Sequence, residues 1–298
     1  MLIEALPWSE KSEHPLASGQ YRPRRADRAG RGAVSDELQA AIEGAQAYEN
    51  LHVDALFRQW AEPVLDAAEV GVGDRVLDVA CGTGVVAREA VRRVGSSGSV
   101  AGLDIGPGML AVAERIEPAV TWVEGEATDL PFDDGDFDAV VCQFGLMFFP
   151  DRVRAVREML RCAGADGRVV VAVWDSLERS DAYPASVELL HRRAGSAAAD
   201  ALRAPFVLGD VDELRSIFGA AGATDVSIET RDGTARFPSV RSMVEADLRG
   251  WLPVMEVFLD DELIERILAE AEDVLAEYVT DDGSMVFSAP AHIVTVRP

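Results

Sequence analysis

Val76-Leu77-Asp78-Val79-Ala80-Cys81-Gly82-Thr83-Gly84 is the stretch on which the fold turns. Val76, Leu77 and Val79 make a short buried strand. The glycines then allow a sharp turn, and helical spacing begins after Gly84. A strand that runs through a glycine turn into a helix brings backbone N–H groups close to a ligand, and the helix start favours an anionic group there. Gly82-Thr83-Gly84-Val85-Val86-Ala87 also satisfies the dinucleotide fingerprint G-x-G-x-x-A, so an NAD-type site is one reading. Asp78 weighs against it. At the strand end it points to the same mouth, where a pyrophosphate would meet a carboxylate at close range. An amino-acid zwitterion suits the site better, its ammonium pairing with the acid and its carboxylate meeting the loop N–H groups.

Working outward, Gly102-Leu103-Asp104-Ile105 ends a second strand. Asp104 lies about 20 residues beyond the loop, where an acid accepts hydrogen bonds from ribose hydroxyls. Either acid alone is also what a helix N-cap looks like. Both at their strand ends, with the glycines between, point to a nucleoside ligand. Apolar runs at 100–103, 121–123, 139–142 and 169–174 alternate with helical stretches near 84–95, 107–115 and 151–163. Such alternation gives a parallel sheet covered on both faces. A further helix opens at Asp210 and ends near Gly222; strands follow at 225–230 and 291–296. The expected fold is α/β: a doubly wound, Rossmann-like, seven-stranded, mostly parallel sheet with an antiparallel last strand and a helical lid.

This pattern divides the chain into an N-terminal tail (1–36), a core (37–176), a helical insertion (177–205), the rest of the core sheet (206–233 and 286–298) and a helical lid (234–285). The tail holds one locally basic stretch, Tyr21 to Gly32, read as a solvated segment. Within the lid, Trp251, Leu252, Met255 and Phe258 fall on one helical face, with Pro253 near the helix start. That face either packs on the sheet or roofs an acceptor pocket.

Composition narrows the function further. The 298 residues carry a net charge of −24, which disfavours nucleic acid as a partner. No run of eighteen apolar residues is found, so no membrane helix is expected. Cys81, Cys142 and Cys162 are widely spaced, which suits neither a disulfide framework nor a zinc site. With no basic and apolar leader at Met1, the expected location is the cytoplasm. No cluster with metal-ligand spacing is visible, so no metal is expected and activity should survive a chelator. Oligomeric state is not legible.

The chain resembles the class I S-adenosylmethionine-dependent methyltransferases, in the branch of the ubiquinone and menaquinone biosynthesis enzymes and actinobacterial small-molecule methyltransferases. The resemblance rests on Val76 to Gly84, on Leu103-Asp104-Ile105-Gly106-Pro107-Gly108-Met109-Leu110, on Glu124 to Phe132, on Asp136 to Val140 and on Phe148-Phe149-Pro150-Asp151. It implies S-adenosylmethionine as cofactor. Asp78 would act near the methionine ammonium, with Ala80, Gly82 and Gly84 along the methionine. Asp104 would take the ribose, Ile105 and Met109 would flank the adenine, and Glu126 and the Ala127 N–H would meet its edge. Gln143 would sit by the transferred methyl, and Tyr48 would close over the cofactor. Two departures stand out: Ala80 replaces the first loop glycine, and Glu126 an aspartate.

A sulfonium methyl needs little activation beyond alignment, and a general base is needed only for a nucleophile that carries a proton. His191 and His52 are the catalytic candidates, and His292 reads as structural or solvated. Phe144, Phe148, Trp174, Met255 and Phe258 are candidates for touching a small-molecule acceptor, O or N rather than C. Two alternatives stay open: a protein that binds S-adenosylmethionine without methylating, and an NAD-type oxidoreductase.

Overall fold

Four of the five parallel strands are short and buried along most of their length, as strands inside a covered sheet are, whereas Thr121–Glu124 is partly exposed and lies at the edge. In the computed structural model, which describes residues 35–297, β1 (Arg75–Val79), β2 (Ser99–Asp104), β3 (Thr121–Glu124), β4 (Ala139–Gln143) and β5 (Arg168–Trp174) run parallel. β6 (Asp225–Arg231) and β9 (Ala291–Arg297) complete a seven-stranded sheet of order β3-β2-β1-β4-β5-β9-β6. β9 is antiparallel to both neighbours. The expected class and topology are therefore found. In β5, Val169 to Trp174 are buried in sequence, whereas β6, at the edge, alternates.

Helices α3 (Val85–Val94), α4 (Pro107–Ile116), α5 (Arg152–Ala163) and α8 (Val211–Ala221) connect and cover the strands. Asp151 caps α5 by accepting from Arg154 N at 2.9 Å, and Asp210 caps α8 through Asp212 N and Glu213 N. Each such cap is worth about 1 kcal/mol. Before β1, α1 (Asp36–Tyr48) and α2 (Arg58–Ala67) are joined by a π-helical stretch, Glu49–Phe57. α1 lies against α4 so closely that a Cβ on Gly108 would stand 2.5 Å from the Ala41 carbonyl. That approach, not a turn, explains Gly108.

Both insertions hang from one sheet edge. α6 (Tyr183–Ala194) and α7 (Ser196–Arg203) follow the C-terminal end of β5. The second insertion leaves after β6 and returns at β9, which pairs Trp174 with Ala291. The sequence pattern over 234–285 is mostly helical. Yet β7 (Thr234–Phe237) and β8 (Met285–Ser288) pair into an antiparallel ribbon at the base of this insertion. Between them lie α9 (Val240–Glu245), a π-helical stretch Ala246–Trp251, the single turn α10 (Leu252–Val254) and α11 (Asp261–Val274). α11 buries Ile264, Ile267, Leu268 and Ala271; each large one contributes roughly 1.5–3 kcal/mol.

The expected common face of Trp251, Leu252, Met255 and Phe258 does not form. Glu256 takes a left-handed φ of 58°, and Val257 N turns back to Leu252 O at 2.9 Å, which ends the helix. Phe258 lies past that break and is 76% exposed, off the face expected of it. The basic stretch Tyr21 to Gly32 lies outside the described residues. Among those described, no helix is long and apolar enough to cross a membrane.

Candidate functional site

The parallel strands end together, so the side chains at their C-terminal ends share one edge. β1 delivers Asp78 and the loop, β2 Asp104, and β4 Gln143, with Trp174 ending β5. Asp78 is buried, and one of its oxygens accepts from Ala87 N at 3.0 Å inside the first turn of α3. It therefore underpins the loop rather than lying open at the mouth. Burial pushes its carboxyl up to about 8, with the charge of Asp104 adding to the effect. Asp104 is half-buried and holds the loop from the other side: its oxygens accept from Gly82 N and Gly106 N, both at 2.8 Å. Burial raises its carboxyl as well, against those two N–H groups.

The loop glycines do different work. Gly82, at φ 54°, faces the Tyr48 ring, whose Cε1 would lie 3.9 Å from an added Cβ. Gly84, at φ 85°, faces the indole of Trp122 on β3, which an added Cβ would meet at 2.4 Å. Gly102 accommodates the same indole. The bare Gly84 thus makes room for the Trp122 indole. Ala80 holds φ 56°, the left-handed conformation that glycine adopts freely. Around the same mouth, Ile105 is 50% exposed, Met109 half-buried, Glu126 exposed and Ala127 buried.

The 49–57 stretch crosses this edge like a strap. Tyr48 stacks on His52 and on Phe57, with ring centroids 5.6 and 5.4 Å apart. Phe57 packs on Phe144 and Trp174, which themselves stack at 3.8 Å. Gln143 Nε2 donates to Phe57 O at 3.1 Å. Glu49 pairs with Arg88 of α3 at 2.9 Å, latching the strap beside the loop. From the lid, Trp251 reaches Phe148 at 5.2 Å and donates Nε1–H to Ala201 O. Asp247 of the lid comes within 3.8 Å of His52.

Of the three histidines singled out in the sequence, His52 lies beneath the strap at this edge, His292 sits further along it, and His191 is away from it. His191 is exposed on the last turn of α6, beside Arg192 and Arg193, which pair with Glu270 on the outer surface. His292 is buried, but its ring is spoken for. Nδ1 meets Thr230 Oγ1 at 2.8 Å and Nε2 meets Gly209 O at 3.0 Å. Four residues of the site were not named from sequence: Trp122, Glu49, Phe57 and Asp247. Phe57 carried no signal, because nine residues from Tyr48 is about two and a half turns of an ordinary α-helix, and only the π-helical stretch brings the two rings together. Asp247 carried none, because an acid in a helical run reads as surface.

Whether a nucleoside with an amino-acid tail fits can be read from orphaned atoms. Thr83 Oγ1, inside the loop, and Gln143 Oε1, at the end of β4, are buried with no hydrogen-bond partner among the described residues. Such groups are costly to leave unpaired; the Thr83 hydroxyl is fit to donate to a carboxylate, and the Gln143 amide oxygen to accept from an ammonium. The residues present fit the group.

Comparison with known proteins agrees. Residues 76–167 match the model of a methyltransferase domain family. The chain is 31% identical to a demethylmenaquinone methyltransferase of Staphylococcus carnosus, covering 62% of this chain and 84% of that protein. It is 37% identical to the chloroplastic 2-phytyl-1,4-beta-naphthoquinone methyltransferase of Arabidopsis thaliana, over 46% of this chain and only 56% of that one. Against most of the first such relatives the chain spans about half of their length. Among solved structures, a Haemonchus contortus phosphoethanolamine N-methyltransferase in complex with S-adenosyl-L-methionine superposes with a TM-score of 0.55. That match is 18% identical and covers 86% of this chain and 57% of the other, a likeness of fold.

Proposed function

The chain belongs to the S-adenosylmethionine-dependent methyltransferases of the quinone-biosynthesis type, and we propose that it transfers a methyl group from that cofactor to a small, ring-sized molecule. One observation carries the reading. The Gly82 turn, Asp104 and Gln143 converge at one sheet edge beneath Tyr48, with the orphaned oxygens of Thr83 and Gln143 among them. When bound, the cofactor supplies an electrophilic methyl on a sulfonium. The chain's own residues do the rest. Asp104, held by Gly82 N and Gly106 N, presents its remaining lone pairs to the ribose hydroxyls. Asp78 fixes the loop and offers negative charge beneath an ammonium. Ile105 and Met109 flank the adenine, with Glu126 and Ala127 at its edge. Phe57, Phe144 and Trp174 offer flat apolar faces to an acceptor ring, and the names of the quinone-methylating relatives support an acceptor of that shape. Those rings touch each other, so an acceptor enters by parting the strap from the sheet edge. Burying the reacting centre this way excludes water and holds the nucleophile in line.

The test is direct. S-adenosylhomocysteine should bind in the micromolar range, on the order of −8 kcal/mol, and NADH should not compete. Label from S-adenosyl[methyl-³H]methionine should pass to one class in a panel of phenols, amines and carboxylates, with or without EDTA. Binding without label transfer would leave only a cofactor-binding protein. Preferential binding of NADH would return the oxidoreductase.

A further inference from the structure

His52 and Asp247 lie far apart in sequence, yet meet where the strap crosses under the lid. Each sits on a π-helical stretch, Glu49–Phe57 for one and Ala246–Trp251 for the other. Such stretches are rare and concentrate at functional sites. Both side chains are more than nine-tenths buried, His52 at 5% and Asp247 at 4% exposure. His52 Nε2 faces Asp247 Oδ1 at 3.8 Å, while His52 Nδ1 and Asp247 Oδ2 have no partner among the described residues. An acid and an imidazole are expensive to bury without a full set of bonds. A purely structural pair would be expected to satisfy both, as His292 does a short way along the same edge.

We propose that His52 is the catalytic base for the acceptor and that Asp247 positions it, so that the acceptor is an aromatic hydroxyl. This rests on the methyl-transfer reading above and names its substrate class. Gly250 packs against the Nδ1 side of the ring, where an added Cβ would stand 3.2 Å from His52 Cε1 and 3.8 Å from Nδ1, so Nδ1 is unpartnered but covered until the strap parts from the edge. The opposite edge of the ring is turned to the carboxylate. Tyr48 faces the imidazole from the strap, and Tyr183 of α6 lies within reach of the Asp247 charge. Glu49 is paired with Arg88 and does not compete for His52. Beyond Asp247 lies a mostly apolar pocket lined by Leu189 and Leu190 of α6, Leu202 of α7, and Leu248 and Ile267 of the lid. Burial there raises the carboxyl and His52 alone opposes the rise. In the step, the acceptor O–H gives its proton to Nδ1. The oxygen pair forms the O–CH₃ bond, and the methyl–sulfur bond breaks with its electrons on sulfur. The imidazolium, held opposite the carboxylate, loses the proton to water when the strap opens.

Phenols of graded acidity read the proposal out. At about pH 8.5, wild-type enzyme should methylate an unsubstituted phenol, still protonated, and a nitrophenol, already ionised, at similar kcat. In His52→Gln, His52→Asn and Asp247→Asn, kcat on the phenol should fall by about 10²- to 10⁴-fold, while kcat on the nitrophenol falls less than tenfold. Affinity for S-adenosylhomocysteine and the thermal midpoint should hold. Equal losses on both acceptors, or loss of folding or cofactor binding in all three variants, would overturn the base and make the pair structural. A wild-type protein that methylates no phenol but does methylate an amine overturns the hydroxyl class alone. One that binds cofactor and methylates nothing overturns the parent reading with it.

Discussion

The glycine turn and the lid ask opposite things of the chain. At the turn, donor and acceptor lie close together in sequence or on adjacent strands. Asp78 bonds Ala87 within the same strand–turn–helix unit, and Asp104 reaches across one strand to Gly82. At the lid, the contacts join remote segments: His52 to Asp247, Phe148 to Trp251, Ala201 to Trp251. A site built on local backbone geometry tolerates little variation in residue type or spacing. A site built from distant side chains can change its contents and keep its shape. On the proposed function, cofactor recognition belongs to the first kind and acceptor choice to the second.

The largest effect expected from this contrast is at Gly84. Gly84→Ala must hold a left-handed φ and drive a methyl into the Trp122 indole. Together these cost about 2–5 kcal/mol, read as a fall in the urea midpoint. A variant of unchanged stability would show that the turn is more pliable than described. Next is Asp104→Ala, which should weaken S-adenosylhomocysteine binding by about 1.5–3 kcal/mol; an unchanged isotherm would remove Asp104 from the ribose. The third concerns pH. With its carboxyl raised from 3.8 to about 8, Asp78 binds a proton more tightly in the folded than in the unfolded chain. The cofactor-free protein should therefore lose stability as pH rises through that window, and Asp78→Asn should flatten the loss. A neighbouring ammonium favours the ionised form, so cofactor binding at pH 7 should release up to one proton and strengthen by at most about tenfold per pH unit until about 8. Calorimetry in buffers of different ionisation enthalpy checks it, and zero protons released would mean that the ammonium lies elsewhere. The smallest effect is at Phe258. Being exposed, Phe258→Ala should move the thermal midpoint and acceptor use by less than about 0.5 kcal/mol, whereas Met255→Ala, half-buried against the core, should move both more.

The same contrast explains what could be read without a structure. Strands β1 to β5 announce themselves because each is a continuous apolar run, and the glycine turn because only that residue type reverses the chain so tightly. The ribbon β7–β8 was hidden although Ala235, Phe237, Met285 and Phe287 alternate inward. Four residues are too few to separate a period of two from a period of 3.6, and its partner lies a whole insertion away. Phe258 was misplaced because nothing in the sequence marks Glu256 as a helix breaker; its left-handed φ is imposed by the turn back to Leu252. Gly84 was legible as a glycine that must be there, but the reason, an indole from β3, was not.

The ribbon at the base of the second insertion has a consequence of its own. Phe237 and Met285 are paired partners, so everything between them leaves and rejoins the core through a single doorway. The sheet therefore registers that long excursion as if it were an ordinary hairpin, and lengthening it adds only a slowly growing closure cost. Such a segment behaves as an exchangeable cartridge: a different one could be spliced between the same two residues with the sheet undisturbed. The exceptions are the strap and the first insertion, which Trp251 and Glu270 also grip through Ala201, Arg192 and Arg193. Because His52 is docked onto Asp247 from outside the cartridge, residues 49–57 must travel with it, and a graft that leaves them behind imports a new roof over the old floor.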